Sequence, residues 1–297
     1  MTKLTKLTKL TKKNVIAEGY QTLESPLWSE KYGLVVSDAT LGGVFSVQED
    51  GSRIDLVKYR RGIGGFAFHQ DGGIIVGGRN LAIKRPAEEN NDETIVILDN
   101  DPENDVVGFN DMTVDSQGRI YVGSLGFVAS KTREGKAGQL FLIDIDGKSR
   151  VVADDIKLTN GLCFSPDGKI LYHADSNRQC VYSYKVFENG DLGERQIFIE
   201  SDVGKPDGLV VDMQGNVWVA LPHSGEAHCY SSNKEVIGKL KVDEPMITSL
   251  GFGGSDMRDL FVVSGSEGSN DECAGKIYRV RMDVSGFKRP LAQVRYC

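Results

Sequence analysis

Cysteine is scarce and widely spaced in this chain of 297 residues. The five cysteines include no Cys-x-x-Cys pair, which argues against a structural zinc site or a redox dithiol. Their odd number favours free thiols in a reducing compartment such as the cytoplasm. No apolar run reaches the ~18 residues of a membrane span. The 35 Lys and Arg residues against 42 Asp and Glu give a net charge of −7, which argues against nucleic acid or an anionic membrane as a partner.

Histidine is also scarce, and the common serine-nucleophile motif is absent from the sequence. The four histidines are His69, His173, His223 and His228, and no two have the i,i+4 spacing of a helical metal site. No Gly-x-Ser-x-Gly sequence occurs, which argues against a serine hydrolase of the α/β type. We expect His173, on a strand, to be structural, like Asp38 and Asp175, which each end a strand.

Helical periodicity is almost absent after residue 20, whereas turn signals are frequent. Short runs rich in Val, Ile, Phe and Tyr alternate with turns such as Asp50-Gly51, Asp71-Gly72 and Asp167-Gly168. Glycine supplies 35 of the 297 residues, about 12% against the usual ~7%. This pattern predicts an all-β protein built from hairpins.

One motif occurs six times: a small or turn residue, alternating apolar positions, a turn and a second apolar strand. The copies start 40, 46, 50, 47 and 41 residues apart, at Ser25, Gly65, Asp111, Gly161, Gly208 and Ser249. A period near ~45 residues predicts a six-bladed β-propeller with four-stranded antiparallel blades. A β-sandwich is the alternative, but it does not explain the period. We assign residues 15–297 to this single domain and residues 1–14, with their Thr-Lys-Leu repeat, to a flexible tail.

The residue before each copy occupies an equivalent place in its blade. These six residues, called the polar ring below, are Glu24, Gly64, Asn110, Asn160, Asp207 and Thr248. Equivalent ends of the innermost strands surround the channel of a propeller, so the four carboxylate and amide side chains of the ring are expected to converge there. Two carboxylates and two amides suit a hard cation such as Ca²⁺, Mg²⁺ or Mn²⁺. The alternative is that Asn160-Gly161 and Asp207-Gly208 are ordinary turn dipeptides.

The sequences around the polar ring carry a family resemblance from about residue 20 to about residue 282. The chain resembles the regucalcin/gluconolactonase (senescence marker protein) family of six-bladed propeller lactonases. The elements that carry the resemblance are Glu24-Ser25-Pro26-Leu27-Trp28, Phe109-Asn110-Asp111, Asn160-Gly161-Leu162, Tyr172-His173-Ala174-Asp175-Ser176, Pro206-Asp207-Gly208-Leu209 and Thr248-Ser249-Leu250-Gly251-Phe252.

The resemblance implies a metal-dependent lactone hydrolase. It implies that Glu24, Asn160 and Asp207 hold one divalent cation, with Ca²⁺ favoured and Mg²⁺, Mn²⁺ or Zn²⁺ as alternatives. It places Asn110 beside the cation, in contact with substrate or water. We expect Asp207 either to act as the general base or, as a ligand, to orient the attacking water.

Two departures from the family pattern concern the substrate. Many members carry Arg two residues before the Asn of the Phe-Asn-Asp motif, where this chain has Gly108, and an acid after the next strand, where it has Phe127 and Val128. The loss of polar contacts predicts a lactone or ester less polar than a sugar acid lactone, with Phe127 lining the cleft. His223, which follows an apolar strand, is a further cleft candidate. We expect a monomer or weak dimer.

Two other functions stay open at this point. Phosphotriesterases of the diisopropyl-fluorophosphatase-like type use a similar site of Glu, two Asn and Asp. A calcium-binding or ligand-binding propeller without catalysis would carry the same ring.

Overall fold

The computed structural model describes residues 7–86, 93–128, 131–132 and 135–296. These residues form 25 β-strands and three short 3-10 helices, at Lys12–Asn14, Pro102–Asn104 and Ser176–Arg178, and no α-helix. Within the same residues, no helix has the length and apolar character that crossing a bilayer requires.

All strands except β1 (Leu7–Lys9) form six four-stranded antiparallel blades, which confirms the predicted six-bladed propeller. The first three blades, each ordered from the channel outward, are β3 (Leu23–Ser29), β4 (Gly33–Asp38), β5 (Val44–Val47) and β6 (Arg53–Val57); β7 (Phe66–Phe68), β8 (Ile74–Val76), β9 (Leu81–Lys84) and β10 (Thr94–Leu98); and β11 (Gly108–Val114), β12 (Ile120–Leu125), β13 (Gly138–Ile143) and β14 (Ser149–Ile156).

The other three blades repeat this order. They are β15 (Thr159–Phe164), β16 (Ile170–Asp175), β17 (Cys180–Lys185) and β18 (Gln196–Glu200); β19 (Leu209–Val211), β20 (Val217–Leu221), β21 (Glu226–Tyr230) and β22 (Val236–Lys241); and β23 (Ile247–Gly253), β24 (Asp259–Ser264), β25 (Gly275–Arg281) and β2 (Val15–Tyr20). The last blade therefore takes its outermost strand from the start of the chain, and this pairing of β2 with β25 closes the ring.

The hydrophobic core lies between the faces of adjacent blades. Successive side chains of a strand point to opposite faces of its sheet. Thus Val36 on β4 packs with Phe261 of the last blade, whereas its neighbour Val35 packs with Ile74 of the second blade. Inner strands such as β8 and β20 are buried on both faces, which explains their runs of Val, Ile and Leu, whereas outermost strands such as β10 are partly exposed.

Part of the segment that the sequence analysis assigned to a flexible tail belongs to the fold. Strand β1 (Leu7–Lys9) pairs in parallel with β22 at the edge of the fifth blade. Leu10 is only 2% exposed and packs in the core between the fourth, fifth and sixth blades. The physical reason is that the outer edge of β22 offers unpaired main-chain groups, which β1 satisfies.

After β25, residues 282–296 cross one end of the channel without forming a strand. Main-chain hydrogen bonds fasten this C-terminal segment to turns of four blades, at Met257, Met213, Gln70 and Gly118. All of these turns follow innermost strands. The segment therefore covers the end of the channel opposite to the polar ring, because the ring residues lie at the starts of those strands.

Candidate active site

The polar-ring positions lie at one level around the channel. Hydrogen bonds connect neighbouring innermost strands at this level almost all the way round. They run from Thr248 Oγ1 to Leu23 O, from Ser25 Oγ to Gly64 O (2.7 Å), from Asn110 Nδ2 to Thr159 O (2.7 Å), from Gly161 N to Asp207 O (3.2 Å) and from Gly208 N to Thr248 O (2.8 Å).

Irregular strand pairing accompanies four of the six ring positions. The register of β3 with β4 shifts between Glu24 and Leu27, and equivalent shifts surround Asn110, Asn160 and Thr248 in their strands. Ser25 also adopts a left-handed conformation with φ of 47°, which is uncommon for a residue other than Gly. Bulges of this kind re-aim a side chain and are frequent beside active sites.

The two ring amides contact each other directly. The Nδ2 group of Asn110 donates to Asn160 Oδ1 at 2.6 Å and to the Thr159 carbonyl at 2.7 Å. Both protons of that amide are therefore used. An amide oxygen has two lone pairs, so Asn160 Oδ1 retains one for a further donor or a cation.

The glycines beside the ring residues serve close backbone contact. A Cβ built on Gly161 would lie 2.3 Å from Leu209 N, and one on Gly208 would lie 2.1 Å from Ser249 Oγ. Neither residue is among those with positive φ. Asn160-Gly161 and Asp207-Gly208 are therefore not ordinary turn dipeptides, and the alternative interpretation was wrong. Glycine is required here because adjacent inner strands approach each other closely.

The two ring carboxylates differ in burial. Asp207 is 7% exposed, and its main-chain N–H donates to Ala220 O at 3.0 Å. Glu24 is half-buried, and its main-chain carbonyl accepts from the Ser37 hydroxyl at 3.4 Å. In the described part of the chain, no three His, Cys, Asp or Glu side chains form a group that could hold a metal. A cation at the ring would therefore need amide oxygens in addition to the two carboxylates.

The remaining two predicted site residues lie in loops at the ring end of the blades. Each second strand runs back towards the ring, so the β12–β13 and β20–β21 loops lie on that face. His223 is exposed there, in a turn and with φ of 65°. Phe127 is only 7% exposed and lies against Gly135 of its own loop.

The role of Ser176 was not predicted from the sequence. Its hydroxyl accepts a hydrogen bond of 2.6 Å from Asn160 Nδ2 and donates to the Pro206 carbonyl. It therefore connects two neighbouring ring positions. The only signal was its place in the Asp175-Ser176 pair at the end of a second strand.

Asp111 was also missed as a site residue. Its Oδ1 accepts from the Met112 N–H at 2.9 Å, and its side chain lies among inner-strand residues below the ring. Burial raises the pKa of this carboxyl to about 6, against the opposing effects of the Met112 N–H and the Arg289 guanidinium.

The three residues that we expected to be structural hold strand ends and buried strands together. Asp38 accepts main-chain N–H groups of Gln21, Thr22, Thr40 and Leu41. Asp175 does the same for Lys157 and Leu158. His173 is fully buried, with Nε2 3.2 Å from Thr159 Oγ1. These groups connect strand ends and do not belong to the polar ring.

Comparison with known proteins gives matches over nearly the whole chain. Residues 23–266 match the model of the SMP-30/Gluconolactonase/LRE-like region. A 6-deoxy-6-sulfogluconolactonase of Pseudomonas putida is 28% identical over 278 residues, covering 90% of this chain and 94% of the relative. The pentonolactonase XacC of Haloferax volcanii is 27% identical over 281 residues, covering 90% and 92%.

A similar fold occurs in a solved regucalcin of Agrobacterium tumefaciens, described as a calcium-binding protein. Its TM-score is 0.82 at 21% sequence identity, covering 97% of this chain and 99% of that chain. At this identity the likeness concerns the fold.

Proposed function

The chain belongs to the SMP-30/Gluconolactonase/LRE-like family, and from this membership and the polar ring we propose that it is a divalent-cation-dependent lactone hydrolase. Two relatives that align over almost their full lengths carry lactonase names. The observation that carries the proposal is the Asn110–Asn160 contact at the ring, which brings two amide groups together on the channel.

The donor set of the ring fits a hard cation. In this proposal Glu24 and Asp207 supply carboxylate oxygens, and Asn160 supplies Oδ1, whose second lone pair is free of the Asn110 contact. Oxygen donors of this kind suit Ca²⁺, with Mg²⁺, Mn²⁺ or Zn²⁺ as alternatives. A bound cation would supply Lewis-acid polarisation of the lactone carbonyl.

The residues of the polar ring would activate and position the attacking water. Asp207 accepts the proton of the attacking water, or orients that water if it acts mainly as a ligand. Asn110 positions the attacking water through its Oδ1, because both protons of its amide already have acceptors. Water adds to the carbonyl carbon of the lactone, and the C–O bond between this carbon and the ester oxygen breaks. The leaving alkoxide takes up a proton, which gives a hydroxy acid.

The lack of room for a side chain at Gly108 supports a substrate of lower polarity than a sugar acid lactone. A Cβ at this position would lie 2.9 Å from Gly78 O, and Gly78 pairs with Phe109 through two main-chain hydrogen bonds of 2.7 and 2.8 Å. This backbone leaves no room for a side chain that would bind a substrate hydroxyl or carboxylate. The buried ring of Phe127 would add an apolar wall on the same blade.

The proposed enzyme acts on small molecules as a monomer or weak dimer in the cytoplasm. The net charge of −7 supports a partner other than nucleic acid. The widely spaced cysteines support a reducing compartment.

The test is hydrolysis of a panel of small, aromatic and long-chain lactones, followed with a pH indicator. We expect acid release that a strong chelator abolishes and that Ca²⁺ or another divalent ion restores. Asp207→Asn and Glu24→Gln should each lower kcat/KM by about 100-fold or more. Asp243→Asn, an exposed carboxylate paired with Lys9, is the matched control and should change it little. Full activity of Asp207→Asn would remove the mechanism.

The other two functions give different results in the same experiment. Fluoride release from a fluorophosphate ester, without lactone hydrolysis, would identify a phosphotriesterase. Tight cation binding by calorimetry, without turnover of any lactone or ester, would identify a binding protein.

A further inference from the structure

A cavity of about 440 Å³ lies in the channel on the other side of the polar ring. It is bounded by the ends of the innermost strands, the turns that follow them at residues 29–32 and 69–73, and residues 288–291 of the C-terminal segment. The six ring residues do not line it. The cavity therefore opens towards the end of the propeller opposite to the proposed active site.

The wall of this cavity is mostly apolar. Its large apolar side chains include Trp28, Phe66, Phe68, Leu162, Leu209 and Leu250. They come from five of the six innermost strands, so the surface is continuous around the channel. A mostly apolar cavity of this size with a few polar groups is the usual form of a small-molecule site.

The C-terminal segment places the guanidinium of Arg289 at this cavity. Its Nη1 donates to Thr113 Oγ1 at 2.8 Å, and no other side-chain hydrogen bond to this guanidinium is present among the described residues. The side chain is half-buried. Since a guanidinium carries five N–H donors in a planar fork, four of them are available to a ligand.

Two further polar groups limit what can bind. Tyr32 lines the cavity, and none of the described residues bonds to its buried hydroxyl. Asp111 lies two residues before Thr113 on β11, about 7 Å deeper in the channel at the usual rise of a strand. A second anionic group at the deep end would meet this carboxyl, so only one anionic end is compatible.

We propose that this cavity binds a small monocarboxylate with an apolar body, its carboxylate paired with Arg289. Guanidinium and carboxylate form two parallel, charge-assisted hydrogen bonds, and the apolar body would be buried against the leucine and phenylalanine side chains. Two other cations line the cavity: Lys288 is paired with Glu30, and the Lys31 ammonium lies over the Tyr32 ring, 4.6 Å from its centroid. A phosphate dianion fits less well, because the apolar wall would strip its water without offering further donors.

The test is calorimetric titration of the chelator-treated protein with 4-phenylbutanoate and with its neutral amide. Chelation prevents the carboxylate from binding to a cation at the ring. We expect the carboxylate to bind, and Arg289→Met to weaken it by roughly tenfold or more. The amide should bind wild type no better than the carboxylate binds that variant. Arg281→Met removes an exposed arginine paired with Asp256 and Asp259, and should change nothing.

A second measurement does not depend on the fold of the Arg289 variant. In wild-type protein with labelled leucine methyl groups, 4-phenylbutanoate should shift the signals of Leu162, Leu209 and Leu250. The same shifts should persist in Asp207→Asn, which separates this site from the proposed active site. Absence of binding, equal affinity for acid and amide, or shifts confined to leucines that do not line the cavity would overturn the proposal.

Discussion

The hydroxyl of Ser176 fixes which way the side-chain amide of Asn160 faces. That hydroxyl has one proton, and it goes to the Pro206 carbonyl, which can only accept. Ser176 must therefore accept from Asn160, so the NH₂ group of Asn160 faces Ser176 at 2.6 Å. Oδ1 is left on the other side, where Asn110 donates to it. The ligand oxygen of the proposed cation site is thus oriented by a residue of the 3-10 helix that follows β16.

Ser176→Ala should weaken cation binding by about 10- to 100-fold, because the Asn160 amide loses the partner that orients it. Titration of the chelator-treated protein with Ca²⁺ measures the affinity. Ser46→Ala is the matched control: Ser46 is equally buried, but it lies on β5 and accepts from Gln48. Equal Ca²⁺ affinity of Ser176→Ala and wild type would show that Ser176 does not position Asn160.

Gly64→Ala should reduce lactone hydrolysis while the fold persists. A Cβ at Gly64 would lie 2.0 Å from Asn110 Oδ1 and 2.9 Å from its Cγ. The tip of a side chain moves more readily than backbone, so Asn110 should swing away from Asn160, lowering kcat by roughly tenfold or more. Circular dichroism and kcat are the measurements. Gly193→Ala, whose nearest contacts are 3.3 Å or longer, is the control. Normal kcat in Gly64→Ala would contradict a role for Asn110.

His173 should make the protein less stable as the solution becomes acidic. Burial lowers its pKa from 6.5 to about 3, with a smaller contribution from Arg195. The unfolded chain takes up this proton near pH 6.5, whereas the folded protein does so only near pH 3. The free energy of unfolding should therefore fall as pH drops below about 6.5, by up to about 1.4 kcal/mol per pH unit from this group.

Urea unfolding of wild type and His173→Gln between pH 4.5 and 7.5 tests this contribution. The variant should lose stability at neutral pH because the site is fully buried, but it should show a shallower fall towards pH 4.5. His223→Asn, which changes an exposed histidine, should keep the slope of wild type. Parallel curves for His173→Gln and wild type would contradict the prediction.

The repeat in the sequence was sufficient to predict six blades and the position of each innermost strand. Each blade is a local unit, since consecutive strands pair through short turns and leave a readable apolar pattern. The closure of the ring was not predicted, because β2 pairs with β25 across most of the chain, as in Val15 with Tyr278. A short strand at one end of a sequence carries no sign of its distant partner.

The candidate site was predictable only as far as the register of the repeat extends. Register selected Asn110 and Asn160, which contact each other. It said nothing of Ser176 or Arg289, which lie outside the innermost strands. Arg289 in particular is brought to the channel by a C-terminal segment without regular secondary structure, whose path depends on hydrogen bonds to the turns of several blades.

Substrate polarity is the sharpest remaining test of the site, because the named relatives act on sugar-derived lactones and this chain has glycine at position 108. We expect kcat/KM to be higher for dihydrocoumarin than for glucono-1,5-lactone, since the site would leave sugar hydroxyls without partners. Phe127→Ala should lower kcat/KM for the aromatic lactone by roughly tenfold and change it little for the sugar lactone. Val128→Ala, at the exposed neighbour, is the control. Preference for the sugar lactone in wild type would show that other residues supply the polar contacts.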